Sequence, residues 1–208
     1  MANGDSFDPT RNCSGDYILE EIMKVYLDMD GVLVDFLDGI HRAFSVPYST
    51  DKHPYEKGKW NMLEDIGKPF CDDKFSFEAV NNACTAEFWS NLKFMHDGLD
   101  IFDAVSDKFP DEDIYFLTTP MPNDGSWLGK VEWIRRYFST FKKRLIITQA
   151  PKSLLAGPDT LLIDDRDENI EEFVAAGGRG LLVPRSWNKA HFCADRTLDV
   201  VKKFLEDL

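Results

Sequence analysis

Basic side chains are scarce in this chain. There are 24 Lys and Arg against 37 Asp and Glu, a net charge of −13. So acidic a surface repels phosphate backbones, which argues against non-specific binding to DNA, RNA or anionic membranes. A small phosphorylated substrate stays admissible, because a bound metal and one local Lys can reverse the field at a site. Long apolar runs are missing too: no stretch reaches the length of a transmembrane helix. The opening MANGDSFDPTRNCSGD is polar and acidic, without a signal peptide's basic and apolar regions, and reads as a loose tail. Cysteine is sparse. Cys13, Cys71, Cys84 and Cys193 lie far apart, form no C-x-x-C pair and meet no His at zinc spacing. That usage fits a reduced, cytoplasmic protein better than a disulfide scaffold or a zinc module. Repeats and low-complexity tracts are also absent.

What is present is globular. Apolar residues make up 43% and aromatics 13% of 208 residues, enough for one good core with a modest insertion. Val25-Tyr26-Leu27 reads as a buried strand, and Val32 to Phe44 as a helix after it. From Asp113 the rhythm is strand and helix in turn: 114–118, 127–140, 144–148, 160–164, 167–177 and 179–183. Such alternation marks a parallel sheet with crossover helices. Short helical patterns fill 75–91, another helix 98–109, and a last amphipathic helix 195–208. The gap between Phe44 and Gly98 is too long for a simple crossover. The expected layout is a tail (1–22), an α/β core (23–44 and 99–208) and a small helical cap (45–98).

The most informative stretch is VYLDMDGVLVDF, Val25 to Phe36. Asp28 and Asp30 follow the first strand, with Gly31 as a chain reversal. Acids this close repel unless a cation lies between them, so the pair points to a hard metal such as Mg²⁺ and to phosphate chemistry. An N-cap role would account for Asp28 but not for Asp30. Three further signals close predicted strands: Thr118-Thr119 after Ile114 to Leu117, Lys152 after Leu145 to Thr148, and Asp164-Asp165 after Thr160 to Ile163. In a parallel sheet all these ends share one edge, where such sheets bind ligands.

In this order Asp28-x-Asp30, Thr118, Lys152 and Asp164-Asp165 resemble the four motifs of the haloacid dehalogenase (HAD) superfamily. LDMDGVLVDF, FLTTP, GKVEWIRRYF and LLIDDRDENI resemble the 5'(3')-deoxyribonucleotidases within it. The resemblance runs from about Lys24 to Pro184. It implies a three-layer Rossmann-like core with the cap inserted after the first strand and helix. It also implies that Asp28 is a nucleophile forming an aspartyl-phosphate and that Asp30 is its general acid and base. Mg²⁺ would be held by Asp28, the Asp30 carbonyl and Asp165, with Asp164 orienting water or Lys152. Thr118 would bond a phosphoryl oxygen, and Lys152 would neutralise charge.

Substrate contacts are expected from Phe36, Thr119, Lys130, Trp60 and Phe88. Flat apolar rings suit nucleobases, and in the resembling family the aromatic at Phe36 stacks on the base. Cap core is the competing reading for Phe36 and the favoured one for Trp60, Phe88 and Trp89, and Lys130 serves equally as a salt bridge on its helix. Met121-Pro122-Asn123 departs from the family, where animal members place a phosphate-contacting lysine. His41 and His96 have no partner at metal spacing and read as structural.

The expected activity is Mg²⁺-dependent hydrolysis of deoxyribonucleoside monophosphates, with no nucleic-acid or membrane partner. Homodimerisation is left open. A phosphatase of another small metabolite is the alternative. A receiver-like signalling domain is disfavoured, because its acidic pair would come first and its lone Asp mid-chain.

Overall fold

The computed structural model describes residues 23–46, 48, 55–59 and 76–208. Trp60, Cys13, Cys71 and the tail lie outside them. Five strands form one wholly parallel sheet in the order β3-β2-β1-β4-β5: β1 Lys24–Leu27, β2 Ile114–Thr118, β3 Leu145–Ile147, β4 Thr160–Asp164 and β5 Arg179–Leu182. Alternate side chains of a strand point to opposite faces. Val25, Leu27, Phe116, Leu161 and Ile163 enter the larger core on one face. Leu117, Leu162 and Tyr26 pack on the other against Phe173. Both faces are therefore covered, which gives the expected three-layer α/β architecture. Each fully buried side chain of the Leu or Phe type contributes about 1.5–3 kcal/mol.

The helices are α1 Phe36–Ala43, α2 Phe77–Ala83, α3 Ala86–Ser90, α4 Gly98–Lys108, α5 Asp124–Tyr137, α6 Asp167–Ala175 and α7 Thr197–Glu206. The first helix begins later than the Val32 its periodicity suggests. The amides of Val32, Leu33 and Val34 all donate to the Met29 carbonyl, at 3.3, 2.8 and 2.8 Å. That tight loop needs Gly31 at φ +74°, a backbone conformation glycine adopts without cost. Asp35 then caps α1 by accepting from the Asp38 amide at 3.0 Å.

α5 also starts earlier than its periodicity suggests, at Asp124, because Asn123 accepts from the Ser126 amide at 2.9 Å. α3 packs closely across α5: a Cβ on Gly129 would lie 2.4 Å from the Trp89 Cβ and 2.5 Å from the Ala86 carbonyl oxygen. This close approach places Trp89 beside the next residue of α5, Lys130.

Candidate active site

The sheet's parallel register brings Asp28, Thr118 and Asp164 to one edge. Asp28 follows β1, and its amide donates to the Ile163 carbonyl at 2.9 Å. Its carboxylate is almost wholly buried. Lys152, in a short 3-10 turn after Pro151, lies 2.7 Å from Asp28 Oδ1 and 2.6 Å from Asp164 Oδ2. Asp164 also accepts from the Arg166 amide at 2.8 Å and from Asn169 Nδ2 at 2.9 Å. Its two oxygens are thus engaged within the protein, and its visible work is to hold Lys152.

Asp28, Asp164 and Asp165 offer oxygens within 4.8 Å of one another. Three buried acids, only two of them bonded to Lys152, leave an excess of negative charge. Burial, reinforced by the charges of Asp164 and Asp30 and opposed by Lys152, pushes the Asp28 carboxyl up to about 7. Burial and the charges of Asp164 and Asp28 likewise hold Asp165 well above the usual carboxylate range, against the Trp187 hydrogen bond and Arg185. Lys152 moves upward: burial would lower it, but Asp164 and Asp28 outweigh that. A divalent cation fits this donor set, because it would cancel the repulsion that raises both acids.

Asp30 has a different partner. Lys130, fully buried on α5, donates to Asp30 Oδ2 at 2.5 Å and to Thr118 Oγ1 at 3.0 Å. Its Nζ lies 4.1 Å from the Trp89 ring centre, within cation–π range. Thr118 accepts from Lys130 and so keeps its own hydroxyl proton to donate. Asp30 Oδ1 is buried with no hydrogen bond among the described residues. Cys84 lies nearby, but burial and the Asp30 charge, opposed by Lys130, push its thiol up to about 12. It is not a nucleophile at neutral pH.

The acids and Lys152 open on a cavity of about 360 Å³, and Thr118 and Lys130 lie behind its wall. Asp28, Asp30, Lys152 and Asp165 line one side, and Phe36, Phe77 and Trp89 another, with Thr119 also on the wall. Phe36 stacks on Trp89, ring centres 5.2 Å apart at 16°. Phe88 is not part of the lining. It meets Phe36 edge-on at 6.0 Å and packs beside Gly39 of α1. The structure thus brings together Asp28, Asp30, Thr118, Thr119, Lys130, Lys152, Asp164, Asp165 and Phe36, and leaves Phe88 one layer behind.

Sequence reasoning passed over the segment after β5. Trp187 Nε1 donates to Asp165 Oδ2 at 2.6 Å. Asn188 donates to the backbone oxygens of Asp165 and Val183, at 2.7 and 2.8 Å. Arg185 pairs with Asp97 through 2.7 and 2.9 Å bonds and donates to the Gly31 carbonyl at 2.6 Å. This buried bracket ties the Asp28–Asp30 loop to the Asp165 loop. The available signal was a Trp-Asn pair just past a strand end on the edge already marked by the acids.

The sheet that carries this acid-and-lysine set has the fold of the haloacid dehalogenase-type hydrolases. Solved structures show the same fold. A haloacid dehalogenase-like hydrolase from Streptococcus pneumoniae aligns at TM-score 0.52 and 17% identity, over 88% of this chain and 99% of that one. A predicted phosphatase from Clostridium acetobutylicum aligns at TM-score 0.55 and 12% identity, over 90% and 100%.

The family model described as 5' nucleotidase, deoxy (pyrimidine), cytosolic type C matches residues 21–199. The chain belongs to this family and is a phosphatase of the nucleotidase type. A Vibrio phage KVP40 protein assigned by name to the 5'(3')-deoxyribonucleotidases is 31% identical over 146 residues, 70% of this chain and 67% of that protein. The human 5'(3')-deoxyribonucleotidase, cytosolic type, is 29% identical over 153 residues, 70% of this chain and 71% of its own length. Among the described residues no helix is long and apolar enough to cross a membrane.

Proposed function

We propose that the protein releases phosphate from deoxyribonucleoside monophosphates through an aspartyl-phosphate on Asp28, with Mg²⁺ as its metal. The observation that carries this reading is the pairing of two acids two residues apart with two different lysines: Asp28 with Lys152, and Asp30 with Lys130. Identical side chains in different settings take different roles. Asp28 and Asp165, with the Asp30 carbonyl, would hold the ion, and Asp164 would act through Lys152. When bound, the ion supplies positive charge to the phosphoryl oxygens and to the Asp28 carboxylate.

Asp28 attacks phosphorus, and the bond from phosphorus to the ester oxygen breaks. Asp30 gives its proton to that oxygen as the nucleoside leaves. Water then attacks the same phosphorus and yields its proton to Asp30, which frees phosphate and restores Asp28. Lys152 and Thr118 stabilise charge on the transferring group. Phe36 and Trp89 offer a stacked apolar face to the base, with residues 45–98 acting as the cap that sets substrate choice, in a cytoplasmic setting.

The test is phosphate release from a panel of nucleoside and sugar monophosphates, with Mg²⁺ or with EDTA. Deoxyribonucleotides should lead the panel, pyrimidines foremost, and EDTA should abolish turnover. A sugar phosphate outrunning every nucleotide would remove the nucleotide assignment and leave the phosphatase.

A further inference from the structure

The two oxygens of Asp165 have unlike neighbours. Oδ2 receives the Trp187 indole N–H at 2.6 Å. It also lies against the bare Cα of Gly31, where a Cβ would stand 1.9 Å away. Among the described residues no hydrogen bond reaches Oδ1. Asp28 is divided in the same way: Oδ1 meets Lys152 at 2.7 Å, and no hydrogen bond reaches Oδ2. Asp164 has neither oxygen to spare, since Oδ1 takes the Arg166 amide and Oδ2 takes Lys152 and Asn169. The site thus presents one oxygen from Asp28 and one from Asp165 to the cavity that both residues line.

That division bears on which cation fits. Mg²⁺ is small, demands near-octahedral geometry and is satisfied by single carboxylate oxygens and water. Ca²⁺ is larger, takes about six to eight oxygens and readily draws both oxygens of one carboxylate. To offer both oxygens to one cation, Asp165 must turn Oδ2 away from the direction that the indole N–H of the buried Trp187 fixes for it. It also cannot swing toward Gly31, because Arg185 pins that loop through the Gly31 carbonyl at 2.6 Å and the Val32 carbonyl at 3.3 Å.

We infer that Trp187 is a positioning residue that sets cation preference: by fixing the orientation of the Asp165 carboxylate through Oδ2 it favours one-oxygen coordination and so Mg²⁺ over Ca²⁺. The inference rests on the metal reading above and adds to it a residue outside the four acid, threonine and lysine motifs. It assigns the indole nitrogen, rather than the ring, the decisive part.

The test reads metal binding directly, by calorimetric titration of the full chain with Mg²⁺ and with Ca²⁺. Trp187→Phe removes the N–H and keeps an aromatic ring. Loss of such an outer hydrogen bond typically changes metal affinity about 10- to 100-fold, so the ratio of Mg²⁺ to Ca²⁺ affinity should fall about ten-fold. Trp187→Gln loses the ring and restores an N–H donor, and it should hold the ratio near that of the wild type. An unchanged ratio in Trp187→Phe overturns the inference, as does a Trp187→Gln protein that discriminates no better than Trp187→Phe. If Trp187→Phe does not fold, Trp187→Gln decides alone: a retained ratio supports the indole nitrogen, and a lost one overturns it. Wild-type protein that takes up no Mg²⁺ overturns this inference together with the metal reading. Wild type that binds Mg²⁺, with the ratio unmoved in Trp187→Phe, overturns this inference only.

Discussion

On the side of the cavity formed by strand ends, Asp28, Asp30, Asp164 and Asp165 each have a named partner: Lys152, Lys130, Lys152 again, and Trp187. On the side formed by α1, α2 and α3, Phe36 and Trp89 meet mainly other rings, and Phe77 is half exposed. The first side rests on a parallel sheet whose register fixes each carboxylate. The second rests on helices of eight, seven and five residues, too short to stand alone and held by caps and ring contacts. Electrostatic work in a buried site depends steeply on distance, whereas stacking tolerates small displacements. The acids and lysines therefore stand on the sheet edge, and the aromatic rings on the short helices.

Replacing Asp28 with Asn tests the strand-end side most severely. Size is kept and the nucleophile is lost, so kcat should fall on the order of a thousand-fold or more for every phosphomonoester. Near-normal turnover by steady-state assay would refute the mechanism. Lys130→Met should come next, because it strands Asp30 and leaves Thr118 without its donor. Lys130 is fully buried but Asp30 is partly exposed, so the loss should stay below the about 3–5 kcal/mol of a fully buried pair, thermal melting should drop by about 5 °C and kcat by about 100-fold. A variant with normal melting and normal kcat would show that this pair is neither structural nor catalytic.

Phe36→Ala sharpens the comparison from the aromatic side. Stacking on one ring is worth roughly 1–3 kcal/mol, so KM for a nucleotide should rise about ten-fold while hydrolysis of a simple aryl phosphate barely moves. Equal damage to both substrates would mean that Phe36 supports the catalytic loop rather than the base.

The smallest effect concerns metal-free stability. Asp28 is raised to about 7, and Asp165 is held well above its ordinary range, by burial and mutual charge, so the folded state binds more protons than the unfolded one between the ordinary carboxylate range and neutrality. Stability must then fall as pH rises through that window. Lys152, shifted upward, keeps its proton throughout and adds nothing there. Melting of EDTA-treated protein should drop by several degrees from about pH 5 to about pH 8, and Mg²⁺ should recover the loss. A rising melting curve would show that the acid cluster does not dominate.

The acids were legible because each signal is local. An apolar run ending in Asp28-x-Asp30, Thr118 or Asp164-Asp165 states both the strand and the reactive group at its end, and parallel pairing does the rest. Phe36 was legible for a similar reason, since it lies just past the same loop. Lys130 could be read either as a salt bridge on its helix or as a site residue, because its partner Asp30 is 100 positions away and no local pattern names it. Phe88 and Trp89 are adjacent aromatics that periodicity treats alike. The packing of α3 over α5 turned Trp89 to the cavity and Phe88 behind Phe36.

By itself, then, the sequence determined the parallel α/β layout and the sheet edge on which the acids gather, because strand periodicity and strand-end acids are encoded over a few residues. Tertiary structure alone decided that Lys130 serves Asp30 and that Trp187, Asn188 and Arg185 close around Asp165 and Gly31. Those choices depend on which distant side chains burial forces into contact, and a buried charge or polar group accepts whichever partner packing brings within hydrogen-bond reach.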